Sequence, residues 1–157
     1  MSNPDAGVAN AGRIRPPLVS LAAIVLGVLI HIVWPVRWLP ASINTAVGVV
    51  LVLLAVALFV SAVRTFGRAG TPVPGDRPTT SIVRTGPYRL TRNPIYLAFT
   101  LLHLGVAAWI NSLAVLLTVV PAVAIMALVV IPREERYLAS RFPAEYLPYT
   151  RDVRRWL

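Results

Sequence analysis

The chain has 157 residues, of which 57% are hydrophobic and 13% charged, and a mean hydropathy of +0.71; this is one domain's worth of a membrane protein, not a soluble domain. It lacks Cys, which excludes a disulfide, a thiolate metal site and a Cys nucleophile. Its two His, His31 and His103, both lie in apolar stretches, which speaks against a metal centre. The net charge of +9 is carried by Arg alone, and membrane topology explains it without nucleic acid.

In chain order, residues 1–15 are polar, contain Gly and Ala, and read as mobile. Residues 16–36, 38–63 and 93–132 hold no Asp, Glu or Arg, and a bilayer core needs about 20 apolar residues per helical crossing. The first two windows are one crossing each and predict helices over 17–36 and 42–64. The first is full length and is followed by Trp34-Pro35-Val36-Arg37-Trp38, so it reads as a retained span and not as a cleaved signal peptide. Ser42 or Asn44 is placed to cap the second helix.

The third window is about 40 residues long, which at ~1.5 Å per residue is roughly twice the hydrocarbon thickness. It must turn back, and Trp109-Ile110-Asn111-Ser112 is the place, giving spans over 94–110 and 112–131. Asn93 is placed as an N-cap, and Pro94 suits the first helical position, whose N–H needs no partner. Pro121 falls in the middle of the fourth helix and predicts a kink. Beyond Pro132, Leu138, Phe142, Tyr146 and Tyr149 recur at helical spacing and predict two short amphipathic helices lying along the interface.

The fold class is therefore all-α: a polytopic transmembrane helical bundle of about four spans, with a cytoplasmic loop and C-terminal amphipathic helices. All Arg residues except Arg37 fall on segments that four crossings place on one side. The positive-inside rule makes that side cytoplasmic, both termini included. Trp34, Trp38 and Trp109 mark the outer interface, and the Arg-rich face is suited to anionic membrane lipids. The Lys-free composition points to a GC-rich bacterial genome, hence a bacterial inner membrane. The 65–92 loop contains Gly67, Gly70, Pro72, Pro74, Gly75, Pro78, Gly86 and Pro87, too many breakers for a continuous helix. It also carries the apolar anchors Ile82, Val83, Tyr88 and Leu90, and a loop this long reads as functional.

Tyr96 and Glu134 are far apart in sequence, but the residues between them form one up-and-down hairpin, so its two ends meet at one membrane level. Arg92, Asn93 and Tyr96 come next to Glu134 and Glu135, and the 65–92 loop can fold over them. A helix N-terminus offers N–H groups and a positive dipole end to a carboxylate, while the Glu pair accepts from ammonium or hydroxyl groups.

Thr80-Ser-Ile-Val-Arg-Thr-Gly-Pro-Tyr88, Arg92-Asn-Pro-Ile-Tyr96, Glu134-Glu135 and Phe142-x-x-Glu-Tyr146-x-x-Tyr149 resemble the isoprenylcysteine carboxyl methyltransferase and phospholipid methyltransferase superfamily. The likeness covers roughly residues 65–157. It implies a membrane helical bundle whose cytoplasmic end encloses S-adenosylmethionine. Carried over by position, Thr80, Ser81, Ile82, Val83, Tyr88, Asn93, Pro94, Ile95, Tyr96 and Glu134 would hold the cofactor. Arg92 and Glu135 are the candidate catalytic residues, and His103 and Arg133 the candidate substrate contacts. Asn93 stands where eukaryotic members carry His, Ala98 and Pro143 replace Gly, and Val130 occupies the place near which isoprenylcysteine enzymes carry a basic residue. Tyr146, Tyr149, Arg151 and Arg154 read as anchors of the tail, with closure of the pocket as the other reading.

A sulfonium methyl is already activated, so such an enzyme mainly places a nucleophile in line and excludes water. The expected partner is a lipophilic or small methyl acceptor: a thiol, a prenylated or fatty carboxylate, a phospholipid amine or a quinone-like phenol. Two other classes stay open, a nicotinamide-dependent reductase of sterol type and a non-enzymatic membrane protein.

Overall fold

The computed structural model describes residues 15–73 and 79–157. The polar stretch over 1–14 with Arg13, and Pro74, Gly75, Arg77 and Pro78 of the long loop, lie outside the described residues. Among those described, the regular elements are helical throughout. They are α1 (Pro16–Val33), α2 (Asn44–Arg68), a 3-10 turn (Gly86–Arg89), α3 (Pro94–Trp109), α4 (Leu113–Ile125), a π-helical segment (Met126–Val130), α5 (Ile131–Arg141) and α6 (Pro143–Asp152). Among the described residues, three helices are long and apolar enough to cross a membrane: Pro16–Val33, Asn44–Arg68 and the continuous Leu113–Arg141. Pro94–Trp109 is apolar but shorter, at 16 residues.

Packing follows from small residues. In lipid there is no hydrophobic drive between helices, so close backbone approach and van der Waals contact hold them together. Along α2, Gly48, Ala55 and Ala62 are buried at every seventh position and face α3, where Ala98 and Gly105 are buried at the same interval. A Cβ on Gly48 would lie 2.5 Å from the Trp109 backbone nitrogen, so the two backbones touch. The α1–α4 contact is built the same way, with Gly27 against the Val115 backbone. Large side chains such as Leu29, Leu53, Leu117 and Leu128 turn outward and are exposed, an apolar belt fit for acyl chains.

The turn between α3 and α4 carries the left-handed residue Asn111 (φ 52°). Its Oδ1 accepts from the backbone N–H groups of Trp38 (3.1 Å) and Leu39 (2.9 Å), and its Nδ2 donates to the Leu39 carbonyl (2.8 Å). One side chain thus ties the two loops at this end of the bundle together. Ser112 caps α4 by accepting from the Val115 N–H.

Two local expectations are corrected. Neither Ser42 nor Asn44 caps α2; Ile43 occupies the N-cap position, and Asn44 Nδ2 instead donates to the Trp109 carbonyl. Pro132 does not separate α5 from the preceding span either, since α4 runs through the π segment into α5. The wider turn explains how. Proline offers no N–H and its ring strikes the carbonyl four residues back. Bonding of the Ile131 N–H to the Met126 carbonyl opens the ladder where the ring enters. Pro121 sits inside α4 without ending it.

Candidate active site

At the end of the bundle opposite Asn111, the first turn of α3 meets the first turn of α5. Tyr96 donates its hydroxyl to Glu134 Oε2 at 2.8 Å, and both residues are buried. Glu135 lies about 100° further round α5 and faces two guanidinium groups. Arg92 Nη1 is 3.1 Å from its Oε1, and Arg155 donates from Nε to Oε1 (3.1 Å) and from Nη2 to Oε2. Arg92 also reaches the Tyr146 hydroxyl at 3.4 Å, while its Nε is buried without a partner among the described residues.

The polar loop supplies a second wall. Gly86 adopts a left-handed conformation (φ 58°), and a Cβ there would meet Thr65 Oγ1 at 2.7 Å, so only Gly lets the 3-10 turn sit on α2. That turn buries Tyr88 edge-on against Phe66 (5.1 Å between centroids), beside Val83 and Ala62. Helix α6 closes the site from above. Tyr149 donates to the Tyr88 carbonyl at 2.7 Å, and the Arg84 guanidinium lies 5.7 Å from the Tyr149 ring centre and donates to the Glu145 carbonyl.

These walls line a partly open cavity of about 650 Å³, within the about 300–1,000 Å³ of small-molecule sites. Its lining is largely apolar (Phe59, Phe66, Ile82, Val83, Phe99, Leu138), with Arg92, Asn93, Tyr96, Glu134, Glu135 and Tyr146 as polar points; Arg15, Pro16, Pro17 and Leu18 also border it.

Of the residues expected at the site, Ser81, Ile82, Val83, Tyr88, Arg92, Asn93, Pro94, Ile95, Tyr96, Glu134 and Glu135 line this one cavity. Thr80 does not; it is exposed, and its N–H donates to Thr71 Oγ1 (2.9 Å). Arg133 is exposed on α5, one residue off the face that carries Glu134. His103 lies two turns along α3 from Tyr96, buried against α4 with its Nε2 3.2 Å from Thr118 Oγ1, in a separate small crevice that Tyr96 also borders. Asn93 holds the N-cap position but its side chain makes no cap bond; Nδ2 donates to the Arg155 carbonyl (3.0 Å).

Sequence reasoning passed over Thr91 and Arg155, both tied into the site. Tyr146 and Tyr149 are buried and line the cavity, whereas Arg151 and Arg154 are exposed. A single aromatic or Arg near a membrane interface carries no signal that separates these roles.

Burial dominates the titration of the site's outer groups. It pushes the Tyr146 phenol up to about 12, with nearby Glu135 raising it further and Arg92 opposing. Burial likewise raises Tyr88, aided by Glu134, and raises Tyr149, with Arg92 opposing. These hydroxyls are neutral hydrogen-bonding groups at neutral pH. The hydrogen bond to Glu135 raises Arg155.

The sequence pattern described as phospholipid methyltransferase matches residues 43–145, which spans α2 through the start of α6. Similarity also extends to the cobalt-zinc-cadmium resistance protein CzcN of Cupriavidus metallidurans, 43% identical over 75 residues, covering 48% of this chain and 34% of that protein. The match therefore spans about a third of that relative's length. No solved structure gives a significant match. With the family pattern covering well over half of the residues, the chain belongs to the phospholipid methyltransferase family.

Proposed function

We propose that this protein is an integral membrane methyltransferase that uses S-adenosylmethionine to methylate a lipophilic or small acceptor bearing a carboxylate, a thiol or a phospholipid amine. The observation that carries this reading is the buried Tyr96–Glu134 contact in a cavity whose lining is largely apolar.

The residues present fit the cofactor. Glu134 takes one bond from Tyr96 and keeps acceptor capacity for an ammonium or a ribose hydroxyl. Ile82, Val83, Phe66 and Tyr88 offer an apolar slot for a planar ring. The buried Arg92 Nε, without a hydrogen-bond partner among the described residues, offers a donor to an acceptor's carboxylate or thiolate. Ser81, Asn93, Pro94 and Ile95 complete the wall. When bound, S-adenosylmethionine supplies a methyl group already activated on a sulfonium. What is left to the chain is to align the acceptor and keep water out.

Both Glu135 oxygens are engaged by guanidinium groups, so its part is to hold Arg92 in place, not to remove a proton. An acceptor arriving as a carboxylate, a thiolate or a neutral amine requires no general base. No acceptor contact is proposed for His103 or Arg133. CzcN is named for metal resistance; among the described residues no group of three or more His, Cys, Asp or Glu could hold a metal ion, and no metal ligand is proposed.

The topology extends to four crossings. Although α3 is short, it reaches from the Trp109–Gly48 contact at one end to the Tyr96–Glu134 contact at the other. It therefore shares both membrane levels with its neighbours, a mismatch that local thinning of the bilayer accommodates. The Arg-rich end, with the cavity, faces the cytoplasm of a bacterial inner membrane.

Incubating membranes that contain the protein with methyl-labelled S-adenosylmethionine tests this. Label is expected in one extracted lipid or thiol class and is expected to vanish with Glu134→Ala. Absence of protein-dependent label from every extracted class overturns the proposal.

A further inference from the structure

Residues 91–93 and 153–157 are joined by a set of contacts that a flexible tail would not make. The Arg92 N–H donates to the Arg154 carbonyl at 3.0 Å. The next carbonyl, that of Arg155, accepts from both Thr91 Oγ1 and Asn93 Nδ2 at 3.0 Å each. Thr91 and Asn93 are buried, so these bonds replace water that the two side chains have lost. Trp156 then packs against the cluster of Tyr96, Met126, Val130 and Ile131. The Arg155 side chain turns the other way and grips Glu135 with Nε and Nη2. One short segment therefore touches the first turn of α3, the first turn of α5 and the carboxylate between them.

The consequence falls on Arg92. Its partners among the described residues are Glu135 Oε1 at 3.1 Å and the Tyr146 hydroxyl at the long distance of 3.4 Å, and Glu135 is itself held by the two-point grip of Arg155. A fork-to-carboxylate pair fixes orientation as well as charge. On the methyltransferase reading above, we infer that residues 153–157 brace the lining residues of the site from behind and that Arg155 is a positioning residue, holding Glu135 and through it Arg92 toward the acceptor.

The bland account is a half-exposed ion pair. The Arg155 side chain is 39% exposed, and pairs of that kind usually contribute little. The two accounts separate in kinetics. Positioning predicts that Arg155→Ala lowers kcat by about tenfold to a hundredfold, as small misplacements do, while cofactor affinity changes little because the Tyr96–Glu134 contact is untouched. Arg155→Lys keeps the charge but loses the fork and is expected to restore only part of kcat.

The experiment pairs cofactor binding and steady-state turnover of wild type, Arg155→Ala and Arg155→Lys with a thermal-unfolding cycle over Arg155→Ala, Glu135→Ala and the double variant, all in detergent. Support consists of a kcat loss with near-constant cofactor affinity, together with Tm losses that are clearly less than additive. If turnover of Arg155→Ala stays within twofold of wild type, the positioning role is overturned and the methyltransferase reading stands. If wild type neither binds nor turns over cofactor, that reading fails by itself. The cycle still decides the coupling then, and additive Tm losses overturn it.

Discussion

Tyr96 and Glu134, 38 residues apart in the chain, share a buried hydrogen bond of 2.8 Å. The contact closes the hairpin formed by α3 and the long helix that follows, and both residues line the cavity. Removing the donor leaves a buried carboxylate with one partner fewer. Tyr96→Phe is therefore expected to destabilise the detergent-solubilised protein by about 1–3 kcal/mol, and Glu134→Gln, which keeps an acceptor and the shape, by less. Thermal unfolding followed by intrinsic fluorescence compares the two.

Two glycines on the same helix make opposite predictions. A Cβ at Gly48 meets Trp109 backbone atoms at 2.5–2.6 Å, whereas a Cβ at Gly67 meets nothing within 4 Å among the described residues. Gly48→Ala should cost at least the about 1–3 kcal/mol of overpacking, because backbone cannot step aside as a side chain does. Gly67→Ala should be neutral, or stabilising by up to about 1 kcal/mol, through helix propensity alone. Parallel melting curves decide this.

Asn111 joins two loops with three hydrogen bonds while holding a left-handed backbone. Asn111→Ala loses the bonds and strains the turn, with an expected loss of about 1–3 kcal/mol. Asn111→Gly relieves the strain but not the bonds and should recover part of that loss. Limited proteolysis at the 34–40 loop should quicken in both variants.

The tyrosines of the roof predict alkaline lability. Tyr146 is raised to about 12 from an ordinary value of about 10, so the folded state holds its proton when the unfolded chain has lost it. The corresponding stability is complete below about pH 10 and disappears as pH rises through about 12; Tyr88 and Tyr149, raised in the same direction, add to it. Tyrosinate absorbance in the folded protein should lag behind that of the denatured chain. Tyr146→Phe should flatten the fall of Tm between these pH values.

The helices were legible because their signals are local. Runs without charge gave the first two spans, Asn93-Pro94 gave the start of α3, and the length of the third window required a turn at Trp109–Ser112. The meeting of Tyr96 with Glu134 also followed, since a hairpin of that length returns to its own level. What escaped depends on partners distant in sequence. Nothing around Pro132 announces that a π segment upstream will absorb its ring and carry the helix onward. Asn93 and Asn44 look like caps, yet each donates to a backbone carbonyl more than sixty residues away. Arg155 reads as one more interfacial Arg until Glu135 is seen opposite it. Arg133 and Glu134 adjoin in sequence but point apart, because one helical step is about 100°.

Equilibrium binding of S-adenosylmethionine to the purified protein in detergent tests the account most directly. Saturable one-site binding is expected for wild type. Replacing both Glu134 by Ala and Tyr96 by Phe should weaken it by about tenfold or more, the loss that goes with a charge-assisted hydrogen bond. Absence of saturable binding, or unchanged affinity in the double variant, contradicts a cofactor site at the junction of α3 and α5.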